Sequence, residues 1–520
     1  MKTVYILIAA LLGCVGCHQK SPTFKNHLHI NFQEGDLPSL HPHDLVIYLR
    51  GLSLAKTLFE PLTRINREGK AELSGAESVS VSDDLLHYTF TLRENTWSNG
   101  TPVTAHHYAS AWRAALDPKS TCSRADLLYV LANGEKAKKG EVSLDAVGVR
   151  VKDSRTLEVD LEFPTPYFLE LMAQCIAAPL LDPQDHGLTV FNGPFMIEDW
   201  KKGNCLRLKP NPYYWDKAHV PLQQIDISFI EDMNTVYALY DKKELDWIGA
   251  PLCPLSTELV HHLEESQMLR SHPIGRSFWI LLNTENPALC SPHIRKALSQ
   301  AVNRKAITDH ILLGGQPSVK PLSSQLLPVL QAVALREDIQ LAQENFQKGL
   351  AEVGLTRETF PPLEISYSQQ SARRQVAEYL QECWHKNLGI DVRLHAVEWN
   401  VLRSNLEKGL YTISMAYEAA YYKDPLELME RYATLNPSNF SQWQCSPFAD
   451  MIAKAKYEPN HSKRAQILNE AELILMDQTP FIPICSDRLL FAHPSELSGY
   501  VIDSIGAIDF SYASMASVKP

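Results

Sequence analysis

One short run of the sequence combines aromatic residues with a single acid, and these residue types could hold an organic ligand. Tyr417, Glu418, Tyr421 and Tyr422 stand close together, directly before Asp424. Small-molecule pockets are lined mostly by apolar and aromatic side chains, with a few polar groups that fix orientation. The run therefore predicts a ligand pocket with one fixed charge. The same residues would also suit ordinary core packing, and the sequence does not choose between the two.

The histidines, in contrast, do not predict a metal site. The pairs at residues 106–107 and 261–262 are adjacent, and neighbours on a helix point about 100° apart, so neither pair can hold one ion. The tripeptide HPH at residues 41–43 is typical of a loop, and we expect these histidines on the solvated surface. No zinc-protease, nucleophile-elbow or phosphate-loop motif occurs in the sequence. We therefore predict no enzyme, no metal and no cofactor.

Length and charge narrow the class of protein further. A chain of 520 residues is too long for one hydrophobic core, so two or three lobes are expected. The formal net charge of −11 argues against a nucleic-acid partner, because phosphates require a basic face. The apolar content of 45% is typical of a globular protein.

The amino terminus predicts export and a lipid anchor. The apolar run at residues 4–12 is too short to span a bilayer and is typical of a secretory signal. It ends in Leu-Leu-Gly-Cys at residues 11–14, which resembles the bacterial lipobox, so Cys14 would be lipidated with fatty acid such as palmitate. Cys17 is a second candidate that leaves a more usual signal length, and an ordinary cleaved signal is the alternative. The other eight cysteines are scattered without a C-x-x-C pair, and most are expected to be free and buried.

The elements that position these residues follow from periodicity. Residues 88–93 (YTFTLR) alternate as a half-buried strand, Asn99-Gly100 marks a turn, and Thr104 caps a helix that carries Trp112. Strands alternating with helices favour α/β lobes with mixed sheets. Further strands are predicted at residues 155–161, 225–229, 278–282, 363–367, 390–394 and 481–484, and helices at 234–243, 294–310, 372–386 and 465–477.

Motifs along most of the chain carry a family resemblance. They are LFEPL at 58–62, LRENTWSNGTPVTAHHY at 92–108, NGPF at 192–195, NPYYW at 211–215, ELD at 244–246, IRKAL at 294–298, NLGI at 387–390 and EW at 398–399. In order and spacing they resemble the family 5 extracellular solute-binding proteins, the oligopeptide-binding components of bacterial peptide importers.

The resemblance implies a fold and a division of the chain. It implies two large α/β lobes that close over a central cleft, like a type II periplasmic binding protein, plus a third, smaller lobe. Trp97 and Trp112 would be scaffold of that smaller lobe. The implied segments are the signal at 1–17, lobe I at 18–52, 183–275 and 488–520, the small lobe II at 53–182, and lobe III at 276–487.

The resemblance also implies ligand-binding residues, with one departure. The family typically reads A-R-x-G-W-x-A-D-Y where this chain has SMAYEAAYY at residues 414–422. Its Arg, Trp and Asp positions are Met415, Glu418 and Tyr421, so the acid that usually pairs with a peptide's amino group is missing. Glu418 is our first choice for that role, with Arg373 or Arg276 for the ligand's carboxylate. The predicted ligand-binding residues are Glu418, Tyr421, Tyr422, Met415, Trp399, Arg373 and Arg276.

The expected function is that of a lipid-anchored, periplasmic solute-binding protein of an ABC importer. It would capture oligopeptides as a monomer and deliver them to a membrane permease with its separate ATPase. Two alternatives remain open. One is the same role for a non-peptide ligand, such as a metal chelate, a tetrapyrrole, a sugar or a modified peptide. The other is a surface adhesin or chaperone lipoprotein on the same scaffold.

Overall fold

The structure, a computed structural model, describes residues 26–46, 48–185, 187, 189–323, 325–326 and 337–515. The predicted signal and both candidate lipidation sites, Cys14 and Cys17, lie outside these residues.

The chain alternates between strands and helices. The strands are β1 (His27–Asn31), β2 (Thr63–Ile65), β3 (Ala71–Leu73), β4 (Ala76–Val81), β5 (His87–Leu92), β6 (Val149–Val151), β7 (Thr156–Asp160), β8 (Phe195–Lys201), β9 (Cys205–Pro210), β10 (Gln224–Ser228), β11 (Ile248–Gly249), β12 (Arg270–Leu282), β13 (Gln316–Pro317), β14 (Leu363–Ser368), β15 (Val392–Val397), β16 (Ile413–Ala419), β17 (Phe481–Ala492), β18 (Leu497–Ser498), β19 (Val501–Ile502), β20 (Ile508–Asp509) and β21 (Ser514–Met515). The helices are α1 (Pro42–Leu45), α2 (Leu49–Leu58), α3 (Ala105–Ala115), α4 (Gly134–Lys138), α5 (Phe168–Leu171), α6 (Met233–Asp241), α7 (Thr257–Glu265), α8 (Pro292–Gln300), α9 (Arg304–His310), α10 (Ile339–Val353), α11 (Ser371–Leu388), α12 (Trp399–Glu407), α13 (Leu426–Met429), α14 (Ser446–Tyr457) and α15 (His461–Gln478).

Three sheets organise the molecule. The amino-terminal sheet has the order β1-β10-β9-β8, and the small sheet has the order β4-β5-β7-β6. The large sheet has the order β11-β17-β12-β16-β14-β15, with β13 paired to β17. Within it, β14 is parallel to both β15 and β16, whereas β12 is antiparallel to β16 and β17. The architecture is therefore mixed α/β, as the sequence predicts, while the predicted domain boundaries stay a prediction.

Two long strands connect the large sheet to the rest of the chain. β12 and β17 pair antiparallel along most of their length, but their register shifts between Pro273 and Ser277. At the shift the backbone of Gly275 bonds elsewhere: its amide donates to the carbonyl of Ser504 (2.5 Å), and its carbonyl accepts from the amide of Ala420 (3.1 Å).

The small sheet shows how local sequence pattern becomes core. Tyr88, Phe90 and Leu92 of β5 are buried and their neighbours are half-buried or exposed, which confirms the alternation predicted for this strand. Trp97 and Trp112 are fully buried, and the indole Nε1 of Trp112 donates to the carbonyl of Ala177 (3.0 Å). Both tryptophans therefore belong to the scaffold, as expected.

Two local predictions are wrong. The single helix predicted at residues 294–310 is two helices, α8 and α9, because Asn303 starts a new one: its side-chain oxygen accepts from the amide of Ala306 (3.0 Å). The HPH tripeptide is not solvated surface, since His41 and His43 are 1% and 5% exposed. His41 instead caps α1, where its Nδ1 accepts from the amide of His43.

Candidate ligand-binding site

The carboxyl ends of three parallel strands define the candidate site. β14, β15 and β16 end at Ser368, Val397 and Ala419, at the same edge of the large sheet. In open α/β sheets, ligands bind in the crevice outside the carboxyl ends of the strands. The residues that follow these ends include Arg373, Trp399, Tyr421 and Tyr422, so the fold brings together predicted site residues that are far apart in sequence.

Arg373, near the start of α11, is a cation with no opposite charge beside it. Its side chain donates to the carbonyl of Met415 (2.8 Å) and to the amide oxygen of Gln370 (3.1 Å). Within the described part of the chain, no carboxylate lies within ion-pair distance of it. Burial lowers the pKa of the guanidinium, because the charged form has lost water. A buried cation without a counter-charge is unfavourable by itself, so an anionic group at this position would stabilise it.

Three aromatic rings and a second arginine surround Arg373, and one of the rings is that of Phe278 at 5.9 Å. Its guanidinium carbon lies 5.9 Å from the ring centre of Tyr417 and 6.0 Å from that of Trp399, which is 46% exposed. Arg276 also approaches Tyr417 (4.6 Å), but Asp487 already neutralises it at 2.5 Å. Of the two predicted carboxylate partners, Arg373 is therefore the one whose charge is available.

Met415 and Glu418 lie on opposite faces of β16, because side chains alternate along a strand. The side chain of Met415 is fully buried in the core on the face of Tyr417 and Phe278, so only its carbonyl reaches Arg373. Glu418 is 4% exposed, and its Oε2 accepts from Nη1 of Arg431 (2.7 Å). Burial raises the pKa of Glu418, and the neighbouring Arg431 opposes that shift. A ligand ammonium at Glu418 would therefore have to compete with Arg431.

The two tyrosines after β16 contact residues around the small sheet. We call residues 76–171 the small-sheet segment. The guanidinium carbon of Arg124 in that segment lies 3.7 Å from the ring centre of Tyr421, and Arg124 pairs with Glu427 at 3.3 Å. Tyr167 of the same segment stacks on Tyr422, with ring centres 4.4 Å apart and planes 10° apart. These contacts, which we call the clasp, join the small-sheet segment to the large sheet.

Sequence reasoning missed the partners in the clasp. Arg124, Tyr167 and Arg431 were not predicted as site residues, although Glu427 and Arg431 have the i, i+4 spacing at which ion pairs form on a helix (2.7 Å). That spacing is the one local signal present. Arg124 is 303 positions from Glu427, and no local pattern links them.

A cavity of about 170 Å³ lies beside the clasp, between segments that are distant in sequence. Its wall includes the turn between β2 and β3, the start of β12, the loop after β16 and Glu170 of α5. A water requires only about 10–15 Å³ of such a cavity volume, so the cavity has room for several waters. The cavity is therefore large enough for the charged end of a ligand and its hydration.

Metal binding and membrane crossing find no support in the described part of the chain. No cluster of three or more histidine, cysteine or acidic side chains there could hold a metal ion. His106, His261 and His262 are exposed, and Nδ1 of His107 accepts from the backbone amide of Thr104. In the described ranges, no helix combines the length and the apolar character needed to cross a bilayer.

Comparison with known proteins places the chain in one family. A profile of the bacterial extracellular solute-binding proteins, family 5 (middle region), matches residues 72–440. The oligopeptide-binding protein OppA of Bacillus subtilis (strain 168) is 33% identical over 521 residues, which cover 96% of this chain and 95% of that protein. The probable deoxycholate-binding periplasmic protein YgiS of Escherichia coli (strain K12) is 27% identical over 460 residues, which cover 83% of each chain.

The fold agrees with these relatives. The structure of Haemophilus influenzae OppA in complex with the peptide RPPGFSPFR superposes with a TM-score of 0.78 at 24% identity, and covers 96% of this chain and 100% of that one. This likeness supports the fold inferred from the sequence, that of a type II periplasmic binding protein.

Proposed function

Because the chain belongs to the bacterial extracellular solute-binding proteins of family 5, we propose that it captures oligopeptides for a membrane ABC importer. The family binds solutes for transport, so the protein's task is reversible capture and delivery. Its place is extracytoplasmic, as the family description says. The permease and ATPase that would receive the ligand are separate chains.

The observation that carries the peptide assignment is the unpaired charge of Arg373. An extended peptide ends in a carboxylate, and a buried guanidinium forms strong, charge-assisted hydrogen bonds with that group. The exposed ring of Trp399 and the ring of Tyr417 flank the same place and could cover the last side chain. Arg276 is already paired with Asp487, so it would contribute to binding of the carboxylate mainly through its electrostatic field.

The test compares alanine peptides of three to five residues with their carboxyl-terminal amides, using calorimetry on protein freed of bound ligand. The free acids should bind at least tenfold more tightly than the amides, since about 1.4 kcal/mol is tenfold in affinity. Arg373→Gln should remove that preference. Arg374→Gln is the matched control, because Arg374 is exposed and pairs with Glu378 on the surface of α11. Absence of binding by every peptide would refute the peptide assignment.

A second candidate is an anionic ligand that carries no amino group. Two observations favour it: Glu418 is engaged by Arg431, and one relative bears a name that refers to deoxycholate, a carboxylate without an amine. Arg373 would receive the acid group in this case as well. Mass spectrometry of ligand released from the purified protein separates the two candidates, because a peptide and a steroid acid fragment differently.

We also propose that a lipid holds the mature protein at the membrane, through Cys14 or Cys17. The lipobox-like Leu-Leu-Gly-Cys and the short apolar run before it support this anchor. Labelled palmitate should enter the wild-type protein in the bacterium, persist in one of Cys14→Ser and Cys17→Ser, and be lost from the other. Equal labelling of both single variants and of the double variant would refute the anchor.

A further inference from the structure

The cavity beside the clasp contains a carboxylate that the proposed function does not yet use. Glu170 lies in α5, between the fully buried residues Phe168 and Leu171. The ring of Phe168 packs on Tyr88 of the small sheet at 4.7 Å between centres. These buried neighbours fix the helix, so Glu170 is held in place at the cavity wall.

The charge of Glu170 is not neutralised by the protein. Among the residues that the structure describes, no cation lies within ion-pair distance of its carboxylate. Burial raises its pKa and the nearby Asp424 adds to the shift, whereas a backbone hydrogen bond at Glu170 itself, Lys423 and His461 oppose the shift without cancelling it. The carboxylate thus lacks the positive charge that would offset the loss of water.

The other charged groups of the wall do not supply that charge. Arg67, Glu68 and Lys423 are exposed and remain solvated. His272 is half-buried, and burial lowers its pKa, so it is neutral near pH 7. Among the described charged groups of this wall, Glu170 is therefore the half-buried carboxylate without an ion-pair partner.

The cavity is also placed to receive the end of a ligand. Tyr422 and Lys423 line it, and they follow β16 directly at the edge where Arg373 lies. A ligand extended along this edge, with its acid group at Arg373, would present its other end to the loop after β16. We propose that Glu170 binds the cationic amino group of the ligand in this cavity, and this inference rests on the proposed function.

This assignment differs from the expectation for Glu418. Glu418 has the cation of Arg431 as a partner at 2.7 Å, whereas Glu170 has no cationic partner at ion-pair distance among the described residues. Removing one partner of a buried ion pair is unfavourable, so a ligand gains more by pairing with Glu170 than by displacing Arg431. Amino-group recognition would then come from the small-sheet segment and acid-group recognition from the large sheet.

The experiment measures the binding of tetra-alanine and N-acetyl-tetra-alanine by calorimetry. Wild-type protein should bind the free peptide at least tenfold more tightly. Glu170→Gln should remove that preference by weakening binding of the free peptide at least tenfold, with the acetylated peptide unchanged. Glu170→Asp, which keeps the charge, should retain part of the preference. Glu94→Gln removes an exposed carboxylate of the small-sheet segment that does not line the cavity, and it should behave as wild type.

The contrary outcomes are distinct. Equal affinity of the wild-type protein for the two peptides would refute a cationic subsite while leaving peptide capture intact, and this result needs no variant to fold. A preference that survives Glu170→Gln but is lost in Glu418→Gln would assign the amino group to Glu418 and overturn the proposal. If neither peptide binds and released ligand contains no peptide, the proposed function fails and this inference fails with it.

Discussion

Removing the side chain of Arg124 should weaken ligand binding, because Arg124 belongs to the clasp that joins the small-sheet segment to the large sheet. In the structure its guanidinium lies on the ring of Tyr421 at 3.7 Å and pairs with Glu427 at 3.3 Å. Both partners belong to the large sheet's part of the chain, whereas Arg124 belongs to the small-sheet segment. The contacts therefore exist only while the two parts are together, and we expect them to favour the closed form of the protein.

The magnitude follows from the surroundings of Arg124. A cation over an aromatic ring contributes about 2 kcal/mol when it is desolvated, and the side chain of Arg124 is only 15% exposed. The ion pair adds less, because Glu427 keeps Arg431 at 2.7 Å after Arg124 is gone. A loss of about 2 kcal/mol in the closed form corresponds to roughly a thirtyfold weaker affinity.

The assay is calorimetric titration of Arg124→Ala with whichever alanine peptide of three to five residues binds the wild type most tightly. Arg155→Ala is the control, because Arg155 also lies in the small-sheet segment but pairs with Glu77 of that same segment. Its affinity should stay within about twofold of the wild type. An unchanged Kd for Arg124→Ala, or an equal loss in Arg155→Ala, would show that the clasp does not contribute to closure.

Two further predictions concern stability. Trp112→Ala should lower the free energy of unfolding by about 3–5 kcal/mol, because removal of the fully buried ring leaves a cavity. Chemical denaturation measures this change. A large loss of peptide affinity at unchanged stability would contradict the role of Trp112 as scaffold. Burial lowers the pKa of His493 to about 4 from its usual 6.5. The unfolded chain therefore binds the proton more readily, so stability present above pH 6.5 should fall by up to about 3 kcal/mol as the pH drops towards 4. In denaturation curves recorded between pH 7 and pH 4.5, the free energy of unfolding of His493→Gln should depend less steeply on pH than that of the wild type. Identical pH dependence of the two proteins would exclude His493 as the cause.

The parts of the fold that the sequence predicted are those whose signal is local. The alternation at β5 and the continuous burial at residues 278–282 need only a few neighbouring side chains to be visible. The break between α8 and α9 was missed because apolar spacing continues through it, and the capping role of Asn303 depends on one hydrogen bond. Periodicity identifies the kind of element better than its ends.

The candidate site was predictable only in part, for the same reason. Residues near the carboxyl ends of strands, such as Arg373 and Trp399, could be named from the family resemblance. Whether a charge is available depends on partners that are distant in sequence. Glu418 was a reasonable choice as the lone acid of its run, but its partner Arg431 lies on another element. No local pattern marks Glu170, because its position at the cavity depends on the packing of segments that are distant in sequence.

The register shift in the β12–β17 pair has a consequence for how the protein moves. The two strands remain paired on either side of this shift, and a second, smaller shift follows between Phe278 and Trp279. Bending is easiest at residues 274–276, where the pairing is interrupted. Because these strands lie side by side, we expect them to bend together at this point, so that opening would be mainly a rotation about a single axis. Such a motion would change few backbone torsions and would leave the packing within each part of the molecule intact.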